Sequence, residues 1–388
     1  MNLQSVFKTI RKKISELTGK SGKPVRGTDG SFGEMQNVRE KWDLSEKDAY
    51  VKQHGRRRVP RFVIPAGIFL LIAVLLFWAL PGLVSRFAQN TGAGPDQVTV
   101  PVRVYTADTR VVRVYAANLF TEADIKSPYI TQVLFNEPVT VLDTGSEGFL
   151  HVSTEDGLQG YIRSEDLTDQ LDSVEPNLHK YKLVVSDISK NVMSHASNGT
   201  LLIQVMMNTV LYSDIKSDGV YQVALPDGGT GWIGSSGVIE LGTGDPVQKV
   251  GVRYFVSSVL CFVNATQINH GITMRGLSVD GLAYVAAAVN GVNLPRTMEE
   301  QAAVGDRVDL TYDAVTGSLN VSGISPGDLV FFRDPNDPNS AAPYEMAICT
   351  DTGSLLMTSA SRTSLKLVTL TDDTELQARI IAVRKIFD

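Results

Sequence analysis

The rhythm of hydrophobic and polar positions changes several times along this chain. Phe62 to Val84 is a run of 23 residues without one Asp, Glu, Lys or Arg. As a helix rising 1.5 Å per residue it would reach about 34 Å, enough for a hydrocarbon core of about 30 Å. A buried helix of a globular domain would be shorter and would keep a polar stripe. The pattern therefore predicts a single transmembrane helix over 62–84. Upstream, Val6, Ile10, Ile14 and Leu17 fall on one helical face, with Lys8, Arg11, Lys12 and Lys13 around it. Such a stretch suits either an anionic membrane surface or a partner helix. Gly, Ser and Lys then recur without period over 18–33, as in a flexible linker.

Beyond the apolar run the period shortens to two, and the pattern repeats. Residues 139–162 overlay on 210–233 at a constant offset of 71. Glu147-Gly148-Phe149-Leu150-His151-Val152 meets Asp218-Gly219-Val220-Tyr221-Gln222-Val223. Asp156-Gly157 meets Asp227-Gly228, and Gly160-Tyr161-Ile162 meets Gly231-Trp232-Ile233. An acidic-Gly turn followed by alternating apolar residues predicts a strand leaving a hairpin. Two small all-β barrels are expected, over 113–170 and 183–241.

From 248 to 388 a helical period returns and then gives way to strands. Val252, Phe255, Val256, Val259, Leu260 and Val263 predict one buried helix. Leu282, Ala283, Ala286 and Val289 predict a second over about 279–289, with Ser278 as its cap, Asp280 in its first turn and Gly291 beyond its end. Thr297-Met298-Glu299-Glu300 has the form of a capping box. Pro326-Gly327 then feeds a buried strand through Phe332, and Glu345–Cys349 and Ser354–Thr358 are further strands.

Composition narrows the chemistry. Two cysteines in 388 residues exclude a disulfide framework and a four-cysteine zinc site, and no His-Glu-x-x-His or phosphate-cradling glycine loop occurs. No metal and no cofactor is expected. The net charge of −6 argues against nucleic acid as a partner. It is unevenly spread: residues 1–61 hold 15 Lys and Arg against 7 Asp and Glu, and the remainder 21 against 35. Arg56, Arg57, Arg58 and Arg61 abut the apolar run, with Arg86 after it. By the positive-inside bias, 1–61 is a basic cytoplasmic segment, and the later domains lie outside a cell membrane crossed once.

The repeat resembles bacterial SH3-like domains, whose closing strand is typically Gly-Tyr/Trp-Val/Ile. That resemblance implies binding to peptidoglycan peptides or a neighbouring protein. Tyr161 and Trp232 are then either ligand-facing rings or plugs of their own barrels, the second being the simpler reading.

The last segment is similar to the NlpC-type cell-wall cysteine peptidases, a papain-like α+β family, over Gly281-Leu282-Ala283-Tyr284, Leu294-Pro295-Arg296 with Gln301, and Pro326-Gly327-Asp328-Leu329-Val330-Phe331-Phe332. The resemblance implies hydrolysis of stem peptides by a thiolate at a helix N-terminus, a His base on a following strand and a third polar residue. Here Ser278-Val279-Asp280-Gly281 stands for the family's Asp-Cys-Ser-Gly, so the nucleophile position is Val279. Glu345-Met346-Ala347-Ile348 stands for His-Val-Gly-Ile, so the base position is Glu345; the third position falls near Thr358. An isopropyl group cannot attack a carbonyl.

The expected architecture is thus a multidomain chain: transmembrane helix, two SH3-like barrels and a degenerate papain-like domain over 248–388. The expected function is a membrane-anchored pseudo-peptidase that binds peptidoglycan stem peptides or cell-wall and division proteins without hydrolysis, through Ser278, Asp280, Tyr161 or Trp232. Two alternatives stand beside it. One is an active endopeptidase whose chemistry has moved to Cys261, Cys349 and His270. Against it, Cys261 reads as a small hydrophobe of the first helix, and nothing in the spacing pairs His270 with a thiol. The other is a structural subunit of a secretion, conjugation or division assembly.

Overall fold

The computed structural model describes residues 105–144, 148–313 and 319–387. Among the described residues the elements are overwhelmingly β: 22 strands against four α-helices, of which the two longest have 9 and 10 residues. No helix among the described residues is long and apolar enough to cross a membrane. The expected span at 62–84, like the basic segment 1–61, lies outside the described residues. The fold class is therefore corrected to a mainly β-sheet protein with few helices, and the single-pass placement in a cell membrane is corrected with it.

The first barrel consists of β1 (Thr109–Val112), β2 (Ala116–Phe120), β3 (Tyr129–Leu134), β4 (Pro138–Asp143), β5 (Phe149–Ser153), β6 (Gln159–Arg163) and β7 (Leu167–Thr168). The second follows with β8 (Tyr181–Val185), β9 (Ser189–Met193), β10 (Leu201–Met206), β11 (Val210–Ser217), β12 (Val220–Ala224), β13 (Thr230–Gly234) and β14 (Val238–Leu241). Their sheet orders, β3-β2-β6-β5-β4-β1-β7 and β10-β9-β13-β12-β11-β8-β14, are the same order shifted by seven. Left-handed backbone recurs at the same turns: Asn136 and Asn208, Gly148 and Gly219, Gly157 and Gly228. The Gly-aromatic-Ile signature has a steric cause. A Cβ at Gly160 would meet the Phe120 carbonyl oxygen at 2.7 Å, and one at Gly231 would meet Val192 at 2.3 Å. Only glycine lets β6 and β13 close on β2 and β9, while Ile162 and Ile233 fill the barrel cores.

The third region opens with α1 (Val252–Leu260) and the small hairpin β15 (Ile272–Thr273) and β16 (Gly276–Leu277), followed by α2 (Val279–Ala288) and α3 (Met298–Gln301). A six-stranded antiparallel sheet follows from β17 (Asp306–Arg307), β18 (Leu329–Phe332), β19 (Glu345–Asp351), β20 (Ser354–Thr358), β21 (Leu365–Thr369) and β22 (Ile380–Lys385), in the order β17-β22-β18-β19-β20-β21. A short helix, α4 (Thr374–Ala378), precedes β22. Alternation along the strands divides the side chains between two cores. Leu329, Phe331, Met346, Ile348 and Leu356 pack with Phe255, Val259, Val279 and Leu282 of the helices. Val330, Phe332, Ala347, Cys349, Leu355 and Met357 pack on the opposite face, with Leu376 of α4.

Candidate functional site

The start of α2 carries Val279, the position expected from the resemblance to correspond to the nucleophile. Ser278 is its cap: extended backbone, with Oγ accepting from the Gly281 N–H at 3.3 Å and donating to the Gly271 carbonyl at 3.1 Å. The Ser278 N–H donates to the same carbonyl at 2.9 Å, pinning the 267–271 loop to the helix start. Gly281 is required here, because a Cβ would lie 2.1 Å from the Gly271 oxygen. Val279 is buried among the side chains of the helical core. Asp280 is only partly covered by area, yet its carboxyl is pushed above the usual carboxylate range by burial, with the Ser278 hydroxyl and nearby His270 pulling the other way.

Of the expected base and third positions, Glu345 turns away from Val279 and Thr358 lies on the α2-facing side of the sheet. Glu345 is paired in register with Phe332, so alternation sets it on the sheet face away from α2. There Arg379 Nη2 donates to Glu345 Oε2 at 3.1 Å, its guanidinium 5.9 Å from the Phe332 ring centre. Thr358 pairs with Leu365 and, two residues on from Leu356, shares the α2-facing side. A nucleophile and its base must stand within hydrogen-bond reach. Glu345 lies on the face of the sheet opposite the one that packs against Val279.

The cysteines occupy unrelated sites. Cys349 is fully buried; burial, and then the nearby Asp328, push its thiol up to about 12. Cys261 is exposed at the end of α1, contrary to its reading as a buried hydrophobe, and its Sγ donates to the Ser257 carbonyl at 3.2 Å. The helix ends before Cys261 can turn inward: Leu260 beside it is also exposed, while Phe255, Val256 and Val259 hold the core. His270, with left-handed backbone, meets neither thiol; its ring stands edge-on to Tyr129 of the first barrel at 6.3 Å.

That contact opens onto the feature sequence reading missed. A pocket of about 500 Å³ lies between the first barrel and the third region, lined by Pro128 and Tyr129 on one side and by Gln267, Ile268, Asn269, His270 and Arg362 on the other. Arg362 Nη2 donates to the Tyr344 hydroxyl at 3.0 Å. The same loop 267–271 that forms one wall is bonded to Ser278, so the pocket abuts the start of α2. Its walls come from residues some 140 positions or more apart, and of its lining only His270 stands out in the sequence; Arg296 and Gln301, which fasten the walls, lie in a motif.

Arg296 holds the two walls together. Its side chain is 3% exposed. Nε donates to Asp156 Oδ2 at 2.7 Å, Nη1 to the Gln132 carbonyl at 3.0 Å, and Nη2 to Glu137; the guanidinium lies 4.7 Å from the Tyr284 ring centre. Burial works against its charge, but Glu137, Tyr284 and Asp156 outweigh it and hold the proton more firmly than usual. Burial likewise drives the Tyr284 hydroxyl well above its ordinary value. Gln301, fully buried, donates to the carbonyls of Asp280 and Pro295 at 2.9 and 2.8 Å, tying the Arg296 segment to α2.

Tyr161 and Trp232 stand at outward positions of β6 and β13, each partly exposed between a buried Gly and a buried Ile. They do not plug their barrels. Among the described residues no group of three or more His, Cys, Asp or Glu is placed to hold a metal ion.

With this geometry in hand, the comparisons with known proteins agree on a class. The model of the bacterial dipeptidyl-peptidase Sh3 domain matches residues 119–167. A NlpC/P60 family protein from Bacillus cereus ATCC 10987 superposes with a TM-score of 0.62 at 17% identity, over 72% of this chain and the whole of that one. The chain shares the fold of NlpC/P60-type proteins and carries an SH3-like domain of the dipeptidyl-peptidase kind. Among curated proteins, it is similar to gamma-D-glutamyl-L-lysine dipeptidyl-peptidase of Bacillus subtilis (strain 168), 24% identical over 264 residues, which cover 66% of this chain and 81% of that enzyme.

Proposed function

We propose that this protein binds peptidoglycan stem peptide, in the pocket between the first barrel and the third region, without hydrolysing it. The observation that carries the reading is the fate of the nucleophile and base positions: Val279 is buried hydrocarbon, and Glu345 is committed to Arg379 on the far face of the sheet. Nucleophilic catalysis needs an ionisable attacking group within reach of a base. Neither thiol supplies it, since Cys349 is buried with a raised pKa and Cys261 lies on the exposed end of α1. The likeness to a dipeptidyl-peptidase supports a cell-wall peptide as ligand. The pocket offers a peptide the hydroxyl of Tyr129, the amides of Gln267 and Asn269, and, for a carboxylate, the Arg362 guanidinium, which the Tyr344 hydroxyl braces from outside the lining.

Two measurements test this. A γ-linked stem peptide titrated into the protein should bind saturably, and Tyr129→Ala or Arg362→Ala should weaken it at least tenfold. Purified sacculi incubated with the protein should release no muropeptide; thiol-sensitive release would overturn the reading.

A further inference from the structure

Four rings stand in one registered row across the first barrel. Tyr129 of β3 is paired with Phe120 of β2, Phe120 with Tyr161 of β6, and Tyr161 with His151 of β5. Directly paired residues point to the same side of a sheet, so all four share one face. Phe120 meets Tyr129 edge-on at 6.4 Å and Phe149 at 5.9 Å; His151 stacks on Tyr161 at 4.8 Å with planes 24° apart. At about 4.8 Å per strand, three steps make a row about 14 Å long. Phe120 is buried by its neighbours, while Tyr129, Phe149, His151 and Tyr161 keep part of their surface in solvent. One end of the row, Tyr129, is the wall of the pocket.

The second barrel serves as an internal control. Its strand order is the same, and its corresponding row reads Leu201, Met193, Trp232 and Gln222. One ring replaces four, and Leu201 is 56% exposed. A barrel of this topology therefore closes without an aromatic row. The row belongs to the copy that carries the pocket.

None of the four paired residues is an acid, Lys or Arg; charge begins only at the rim, with Asp143 paired to His151 and Arg163 paired to Phe149. What the row leaves partly in solvent is ring surface of Tyr129, Tyr161 and His151, with Phe149 beside them, carrying two hydroxyls and an imidazole as polar tips. A pyranose ring has the complementary form: one face of C–H groups and an edge of hydroxyls. Aromatic side chains with a polar tip suit such half-apolar ligands. We propose that the row from Tyr129 to His151 is a glycan subsite, taking the polysaccharide strand that leads away from the pocket. The inference rests on the pocket holding a wall peptide.

The test uses the whole protein, with calorimetric titration of two probes: peptide-free glycan strands from amidase-treated sacculi, and free stem peptide. Glycan strands should bind, and Tyr161→Ala or His151→Ala should weaken them at least tenfold while leaving peptide affinity unchanged. Tyr161→Leu, which keeps apolar bulk but removes the ring, should do the same at an unaltered melting temperature. Gln222→Ala in the second barrel should change neither. Peptide binding without glycan binding, or peptide affinity lost with Tyr161, would overturn the subsite alone. Failure of the stem peptide to bind would remove the pocket reading and this inference with it.

Discussion

Arg296 donates from Nε to the Asp156 carboxylate at 2.7 Å, joining the segment after α2 to the turn between β5 and β6. With Glu137 also on the guanidinium, one buried cation neutralises two carboxylates of the barrel. Breaking a buried pair by removing one partner typically costs about 3–5 kcal/mol. Arg296→Met should therefore lower the unfolding free energy by about 3 kcal/mol in a denaturant titration. Adding Glu137→Gln and Asp156→Asn should recover much of it, because the orphaned charges are then gone.

The same junction should be acid-sensitive. Burial alone would raise the Asp156 pKa, but the charge of Arg296 and hydrogen bonds from Thr154 and Arg296 overcome it and hold the carboxyl below its ordinary value. A depressed folded-state pKa gives stability that is full above the unfolded pKa, near 3.9, and is lost as pH falls through the folded value. Melting temperatures measured from pH 6 downward should fall more steeply below about pH 4 for the native protein than for Asp156→Asn.

Gly281→Ala sets a methyl group against the Gly271 oxygen. Overpacking of this kind costs about 1–3 kcal/mol, and here the atom in the way is backbone. The 267–271 loop would have to retreat from Ser278, so stem-peptide affinity should fall along with the melting temperature.

Val279→Cys would place a sulfur atom at the position that the family resemblance assigns to the nucleophile, without supplying the chemistry. The side chain is 4% exposed. The variant should fold at a cost of about 1 kcal/mol for the lost packing. It should release no muropeptide from sacculi, even when combined with Glu345→His, because that residue lies beside Arg379 on the face of the sheet away from α2.

Alkylation under native conditions should modify one thiol per chain. Cys261 is exposed, whereas Cys349 is buried with its pKa pushed up to about 12, leaving almost no thiolate at neutral pH. Mass spectrometry after iodoacetamide should locate the adduct on Cys261, and on both residues only after unfolding.

Much of this fold was legible in the sequence. Acidic-Gly turns and Gly-aromatic-Ile strands revealed the duplicated barrels, because those glycines answer local backbone demands and their alternation answers a nearby core. Ser278, Thr297 and Gly291 marked helix ends for the same local reason: Thr297 Oγ1 does accept from the Glu300 N–H, and Gly291 does adopt φ 78°. Strands β1–β3 carry no such turn signature and were not read individually. Nor was the pocket, since Tyr129 and His270 meet only through tertiary packing. Arg296 stood in a recognised motif, yet nothing in Leu-Pro-Arg announces a guanidinium sealed between domains. The face on which Glu345 lies followed from register with Phe332, which only the assembled sheet sets.

The sealed guanidinium also bears on how a ligand would be received. Because Arg296 clamps Gln132, Glu137 and Asp156 while its own segment is fastened to α2 through Gln301, the barrel and the helix cannot drift apart without stranding charge in a dry interior. A guest that touches both Tyr129 and the 267–271 loop arrives at a cleft whose jaws are already set. Little hinge freedom is left to freeze, so even modest contacts translate into affinity.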